Sequence, residues 1–168
     1  SAVIACYKDE KAIPIMHQRL TEVFKKIGCK YEIIFVNDGS PDNSEQVLEE
    51  ICASDQSTTA IIHSRNFNSQ NAFTSGMMQS TGDAVILLDG DLQDPPELIE
   101  KFVEKWMQGY DVVYGSRVNR DTSKFMNYAY KIFYRLFNKV SYLEIPLDAG
   151  DFSLMDRKVV NEINNIKE

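Results

Sequence analysis

Asp89 and Asp91 stand two residues apart, directly after the apolar run Val85-Ile86-Leu87-Leu88. In an extended chain that spacing puts both carboxylates on the same side. Two carboxylates at a strand end suit a hard divalent cation such as Mg²⁺ or Mn²⁺, which takes oxygen ligands and shares them with phosphates. An Asp-Gly pair is also a common solvated turn, so the flanking residues must decide. Asp94-Pro95-Pro96-Glu97 reads as a helix start, with Asp94 at N-cap, Pro95 at N1 and Glu97 at N3. The acidic stretch is therefore expected to be held between a buried strand and a firmly started helix.

Other polar residues sit at other strand ends. Tyr7 and Glu10 follow Ala2–Cys6, and Asn37-Asp38-Gly39-Ser40-Pro41 follows Tyr31–Val36. Asp38 is placed to accept hydrogen bonds from a nucleobase or ribose, whereas Ser40 and Pro41 read as a turn capping the next helix. Arg117 has the donor geometry to pair with phosphate oxygens bidentately, as any surface arginine does.

The elements that must position these residues alternate along the chain. Apolar runs at Ala2–Cys6, Tyr31–Val36, Thr59–His63, Ala84–Leu88 and Asp111–Tyr114 read as strands. Between them, helical patterns cover Ala12–Ile27, about Asp42 to Ala53, about Gln70 to Ser80, and Pro96–Gln108. Strands alternating with helices of this length imply βαβ units, hence an α/β fold of three layers around a mainly parallel sheet. Gly28, Gly82 and Gly109 each follow a helix and read as left-handed C′ residues. Gly39, Gly90, Gly115 and Gly150 follow strands or extended runs, where ligands bind in open α/β sheets.

Composition removes several function classes. The chain of 168 residues is 43% hydrophobic and 26% charged, within the range of one soluble globular domain. Its net charge of −7 argues against a nucleic-acid partner. Cys6, Cys29 and Cys52 form no CxxC pair and read as small buried residues of a reducing compartment. With only His17 and His63, a histidine-based metal cluster is not expected. No signal peptide is visible, and the chain begins without methionine inside a strand.

Tyr7-Lys8-Asp9-Glu10, Val36-Asn37-Asp38-Gly39-Ser40, Arg65-Asn66-Phe67, the stretch from Leu88 to Glu97, Gly115-Ser116-Arg117 and Gly150-Asp151-Phe152 occur in one order and spacing. In that arrangement the chain resembles family 2 inverting glycosyltransferases of the GT-A fold, a Rossmann-like nucleotide-binding architecture. Asp91-Leu92-Gln93-Asp94-Pro95-Pro96-Glu97 is particularly similar to the polyprenyl-phosphate branch, which includes dolichyl-phosphate mannose synthase and undecaprenyl-phosphate glucosyltransferases. Haloacid-type phosphatases also carry Asp-x-Asp after a strand, but continue into Thr or Val where Leu92 stands here.

The resemblance implies that Tyr7, Glu10, Val36 and Asp38 hold the nucleoside of a nucleotide-diphosphate sugar. It puts Asp89 and Gly90 near the ribose and diphosphate, Asp91 and Gln93 on Mg²⁺ or Mn²⁺ with Asp89 supporting, and Arg117 at the phosphates or acceptor. Asp151 matches the aspartate often proposed as the base. Three departures stand out: Lys8-Asp9 replaces the usual Asn-Glu, which leaves Asp9 and Glu10 competing; Asn37 replaces an aspartate; and Ser153 replaces an arginine. The acceptor is then a polyprenyl phosphate, or alternatively a carbohydrate hydroxyl in surface-polysaccharide synthesis. An inactive nucleotide-binding fragment is the remaining reading, and a homo-oligomer stays open.

A phosphate monoester has a second pKa of about 6, so it is largely dianionic near neutral pH and carries no proton to remove. Asp151 is then expected to orient groups rather than abstract a proton. Lys124–Leu143 holds four basic residues and no acidic one, leaving −11 for the remainder against −7 for the whole. As a helix it presents a basic face opposite an aromatic one, which suits either an anionic membrane surface or packing on the domain. In this branch interface or transmembrane helices usually follow the catalytic domain, so the chain reads as truncated before them. The full-length protein is expected in the cytoplasm, at the inner face of the membrane.

Overall fold

A computed structural model of the chain describes residues 1–116 and 149–166. Arg117 and Lys124–Leu143 lie outside the described residues. Contacts group the chain into one unit of Ser1–Tyr114 with Asp151–Glu168 and a second of Gly115–Gly150.

Strands β1 (Ala2–Cys6) and β2 (Ile33–Asn37) are buried at every position, as central parallel strands covered on both faces must be. With β3 (Thr58–Ile62) and β4 (Ala84–Asp89) they form the parallel part of the sheet. Two further strands, β5 (Val112–Ser116) and β6 (Ala149–Asp156), complete the order β3-β2-β1-β4-β6-β5. Strand β6 was not expected. It runs antiparallel to β4, with Val85 opposite Met155 and Ile86 opposite Leu154.

Helices α1 (Ala12–Ile27), α2 (Ser44–Ser54) and α4 (Ile99–Met107) belong to one face of the sheet. There Ile4, Phe35 and Leu88 meet Met16, Leu20, Leu48 and Phe102. Helices α3 (Ser69–Gln79) and α5 (Arg157–Asn165) belong to the other, where Val3, Ile34 and Val85 meet Phe73, Met77 and Val160. Alternate residues of each strand thus feed opposite cores, which is the three-layer arrangement expected.

Several local expectations are corrected. The helical segment after Pro95 begins at Pro96, as a 3₁₀ turn Pro96–Leu98 running into α4, but with Pro95 rather than Asp94 at the N-cap. Glu97 turns outward to pair with Arg19 of α1 through two contacts of 2.9 and 2.6 Å. Gly28 and Gly109 are left-handed as expected, at φ 74° and 98°, but Gly82 is not. A Cβ on Gly82 would lie 2.7 Å from the Ser1 nitrogen, so close approach explains that glycine. Gly115 and Gly150 lie inside β5 and β6 rather than after strands. Cys6 is buried, but Cys29 is exposed.

Candidate functional site

Strand order reverses between β1 and β4, because β2 and β3 extend on one side of β1 and β4 begins the other. Ligands of open α/β sheets sit outside the carboxyl ends of the strands at such a switch point. The register sets Ala5 level with Val36 on one side and Asp89 on the other. A cleft of about 280 Å³ lies at these ends, lined by Tyr7, Asp9, Asp38, Asn66, Ser69, Asp89, Gly90 and Asp91 among others.

Gly90 permits this geometry. Its amide donates to the Ala5 carbonyl at 2.9 Å, tying β4 to β1 at the cleft floor. A Cβ there would come within 2.8 Å of Cys6 Sγ and 3.1 Å of Asp9 Oδ2. Asp91 begins a tight turn: its Oδ1 accepts the Gln93 amide at 3.0 Å, and Leu92 adopts φ 63° while packing on the core. Asp91 therefore keeps its own carboxylate at the rim. Gln93 is exposed and is not among the residues lining the cleft.

Of the competing pair after β1, Asp9 faces the cleft and Glu10 does not. Lys8 takes the left-handed φ of 64°, which turns the chain so that Asp9 Oδ2 accepts the Tyr7 amide at 2.9 Å. Glu10 points to the β2–α2 loop instead, where its Oε2 accepts the Asn43 amide at 3.0 Å. The Lys8 amide donates to Ser40 Oγ at 2.6 Å and the Glu10 amide to Asp42 Oδ2 at 3.2 Å, so the loops after β1 and β2 are cross-braced. Burial pushes the Asp42 carboxyl up, but hydrogen bonds from the Ser40 and Ser44 hydroxyls and the Glu10 and Ser44 amides outweigh it and bring its pKa to about 2.

Asp38 lies on the cleft wall with only 2% of its surface exposed. Val36 is fully buried in the core below, between β1 and β3, and does not line the cleft. Asp151 sits on β6, exposed, where its Oδ1 accepts Gln70 Nε2 of α3 at 3.3 Å; it does not line the cleft. The structure thus brings together Tyr7, Asp38, Asp89, Gly90 and Asp91, leaves Glu10, Val36, Gln93 and Asp151 off the lining, and adds Asp9, Asn66 and Ser69. Asn66 stood inside a quoted motif without a role.

The site is electronegative. Burial raises the Asp9 pKa, partly opposed by the Tyr7 amide and reinforced by Asp91 and Asp42. Burial likewise pushes the Cys6 thiol up, with Asp9 and Asp89 adding to it. Among the described residues no three His, Cys, Asp or Glu side chains form a metal-holding group. Such a group is not required, since Mg²⁺ is commonly held by one or two carboxylates together with substrate phosphates. Asp91 and Asp89, with Asp9 behind them, fit a cation of that kind.

The mainly parallel sheet with helices on both faces is an α/β fold of the GT-A class. Solved structures bear out that fold: glucosyl-3-phosphoglycerate synthase of Mycobacterium tuberculosis in complex with Mn²⁺, uridine diphosphate and phosphoglyceric acid superimposes with a TM-score of 0.67 at 17% identity, over 94% of this chain and 55% of that one. The mannosyltransferase PcManGT of Pyrobaculum calidifontis, in complex with GDP-Man and Mn²⁺, gives 0.63 at 16% identity, over 99% of this chain and 46% of that one. The family model "Glycosyl transferase family 2" matches residues 1–163, and the chain belongs to that family. Over its full length it is 44% identical to an uncharacterised glycosyltransferase, YkcC, of Bacillus subtilis, and 38% identical to the bactoprenol glucosyl transferase of Shigella phage SfX. It covers 52% and 55% of those proteins, so the chain spans about half the length of these curated relatives.

Proposed function

We propose that this chain is the donor-binding catalytic domain of an inverting hexosyltransferase that moves a sugar from a nucleotide diphosphate to a polyprenyl phosphate. The observation that carries the reading is the cleft at the β1–β4 switch point, where Asp38, Asp89 and Asp91 converge beside the close-approach Gly90. The likeness to a bactoprenol glucosyl transferase supports the lipid phosphate as acceptor.

In this reading Asp38 accepts from the nucleobase, Asp89 receives the ribose, and the bare backbone at Gly90 admits the diphosphate. Asp91, supported by Asp89 and Gln93, holds Mg²⁺ or Mn²⁺. When bound, the cation supplies charge neutralisation for the departing diphosphate. Arg117 is assigned to the phosphates or the acceptor. An acceptor phosphate oxygen attacks the anomeric carbon from the face opposite the diphosphate, the new C–O bond forms as the old one breaks, and configuration inverts. The attacking oxygen carries no proton, so Asp151 orients groups and Glu10 braces the loops.

Among the described residues no helix is long and apolar enough to cross a membrane. Membrane contact is assigned to the four basic residues of Lys124–Leu143. The test of the function is transfer of label from nucleotide-diphosphate hexoses to undecaprenyl phosphate, with Mg²⁺ or Mn²⁺, by the full reading frame. Label in the lipid phase with inverted configuration is expected; label only in a glycan product overturns the acceptor. Flotation with anionic vesicles checks the surface contact, which is expected to vanish when the four basic residues become glutamate.

A further inference from the structure

Asp38 does not meet the cleft on its own. Its Oδ1 accepts two hydrogen bonds, from His63 Nδ1 at 2.8 Å and from the Phe67 amide at 2.9 Å. With a carboxylate as partner, Nδ1 carries the proton; on the neutral ring Nε2 then accepts from the Ser75 hydroxyl of α3 at 2.9 Å. The ring is fixed from other directions too. The His63 amide donates to the Asn37 carbonyl at 2.9 Å, and Phe67 meets the ring edge-on at 88° with centroids 5.5 Å apart. The His63 side chain is 12% exposed and is not among the residues lining the cleft, so it acts on a ligand only through Asp38.

A carboxylate offers about four lone-pair sites, two on each oxygen. His63 and the Phe67 amide fill both on Oδ1, and among the described residues Oδ2 accepts nothing. We infer that His63, backed by Ser75, is a positioning residue for nucleobase recognition: it clamps Asp38 so that Oδ2 alone is offered to the base. One free acceptor matches a base with a single N–H between two carbonyls, as in uracil. Guanine presents two adjacent, parallel N–H groups that a pair of acceptor atoms matches, whereas a single oxygen takes both only through bent hydrogen bonds, so guanine is the poorer fit. The inference rests on the proposed nucleotide-sugar reading and deepens it.

Calorimetric titration of the full chain with uridine diphosphate and guanosine diphosphate, each with Mn²⁺, tests it, with thermal melts confirming that each variant is folded. Wild type is expected to favour the uridine nucleotide by about tenfold or more, the scale of one charged hydrogen bond. In His63→Leu the freed carboxylate can rotate to present both oxygens, so uridine affinity falls about tenfold and the preference narrows. His63→Gln keeps an N–H donor and restores most of the preference, and Ser75→Ala falls between. In an Asp38→Asn background, His63→Leu is expected to have little further effect, whereas a merely structural role would lower affinity equally in both backgrounds. If His63→Leu does not fold, Ser75→Ala and His63→Gln carry the comparison. An unchanged preference in folded variants, an additive cycle, or a wild type that favours guanosine overturns the inference while the function stands. No binding of either nucleotide to wild type overturns the proposed function and this inference with it.

Discussion

Asp91 and Asp151 separate two chemistries by a single substitution each. Removing the Asp91 charge takes away the group assigned to the cation at the leaving diphosphate, so Asp91→Asn is expected to cost a hundredfold or more in transfer rate, on the order of 3 kcal/mol. Asp151→Asn should cost less than about tenfold if the acceptor is already an anion. Equal and complete loss in both would return Asp151 to the role of base and favour a hydroxyl acceptor. Asp9 makes a different kind of prediction. Its carboxyl is raised by burial and then by Asp91 and Asp42. A carboxyl with a raised folded pKa adds stability at acid pH and loses it as pH rises through that value, so at pH 7 the ionised group works against the fold. Asp9→Asn, which keeps an acceptor for the Tyr7 amide, should therefore raise the melting temperature of the ligand-free protein. The same change should shrink the further rise produced by Mn²⁺ with nucleotide, and a lower melting temperature in the ligand-free variant would contradict this account. The choice of Asp9 over Glu10 was not legible in the sequence. It depends on the left-handed backbone at Lys8, a conformation that lysine does not advertise as glycine or asparagine would.

At the scale of elements, the first five strands were legible because they are apolar runs separated by helical patterns, and the parallel core needs little else. Strand β6 was not, since Ala149–Asp156 interleaves Gly150, Asp151 and Ser153 with Phe152 and Leu154 and has too few apolar residues to stand out. A signal was present just after it: Asp156 accepts the Lys158 amide at 3.0 Å and caps α5. His63 was legible only as a spare histidine, because its partners come from the loop after β2 and from α3, 25 and 12 residues away. What brings α3 near enough is Gly76, where a Cβ would fall 2.2 Å from Cγ1 of the buried, β-branched Val3. Gly76→Ala gains up to about 1 kcal/mol of helix propensity. It must also push α3 away from β1, and overpacking of this kind costs about 1–3 kcal/mol. The expected net result is a lower urea midpoint with an unchanged slope, together with weaker nucleotide binding as Ser75 draws back from His63. A midpoint at or above wild type would show that α3 can shift freely.

Over the whole molecule two pH effects oppose each other. The chain carries −7 at neutral pH, and self-repulsion eases as carboxylates begin to protonate, which favours the fold on mild acidification. Against this stand carboxyls whose native pKa is depressed, Asp42 and Asp55 most strongly. Asp42 lies at about 2, and Asp55 lies further below the usual carboxylate range. Burial pushes Asp55 up, but the Ser57 hydroxyl, His17, the Ser57 amide and the Thr58 hydroxyl outweigh it, with contacts of 2.6 to 2.9 Å. A depressed carboxyl contributes stability that is present above its unfolded value of 3.8 and lost as pH falls through the folded one. Melting temperature should therefore hold or rise slightly from pH 7 toward 5, then fall between about pH 4 and 2 as Asp42 and then Asp55 take up protons. Asp55→Asn isolates its share, because Asp55 caps the turn between α2 and β3 and is not among the residues lining the cleft. The variant should melt below wild type at pH 7 and converge on it as pH approaches 2, with nucleotide affinity at pH 7 unchanged. A gap that stays constant across the whole range would mean that Asp55 acts through packing rather than charge.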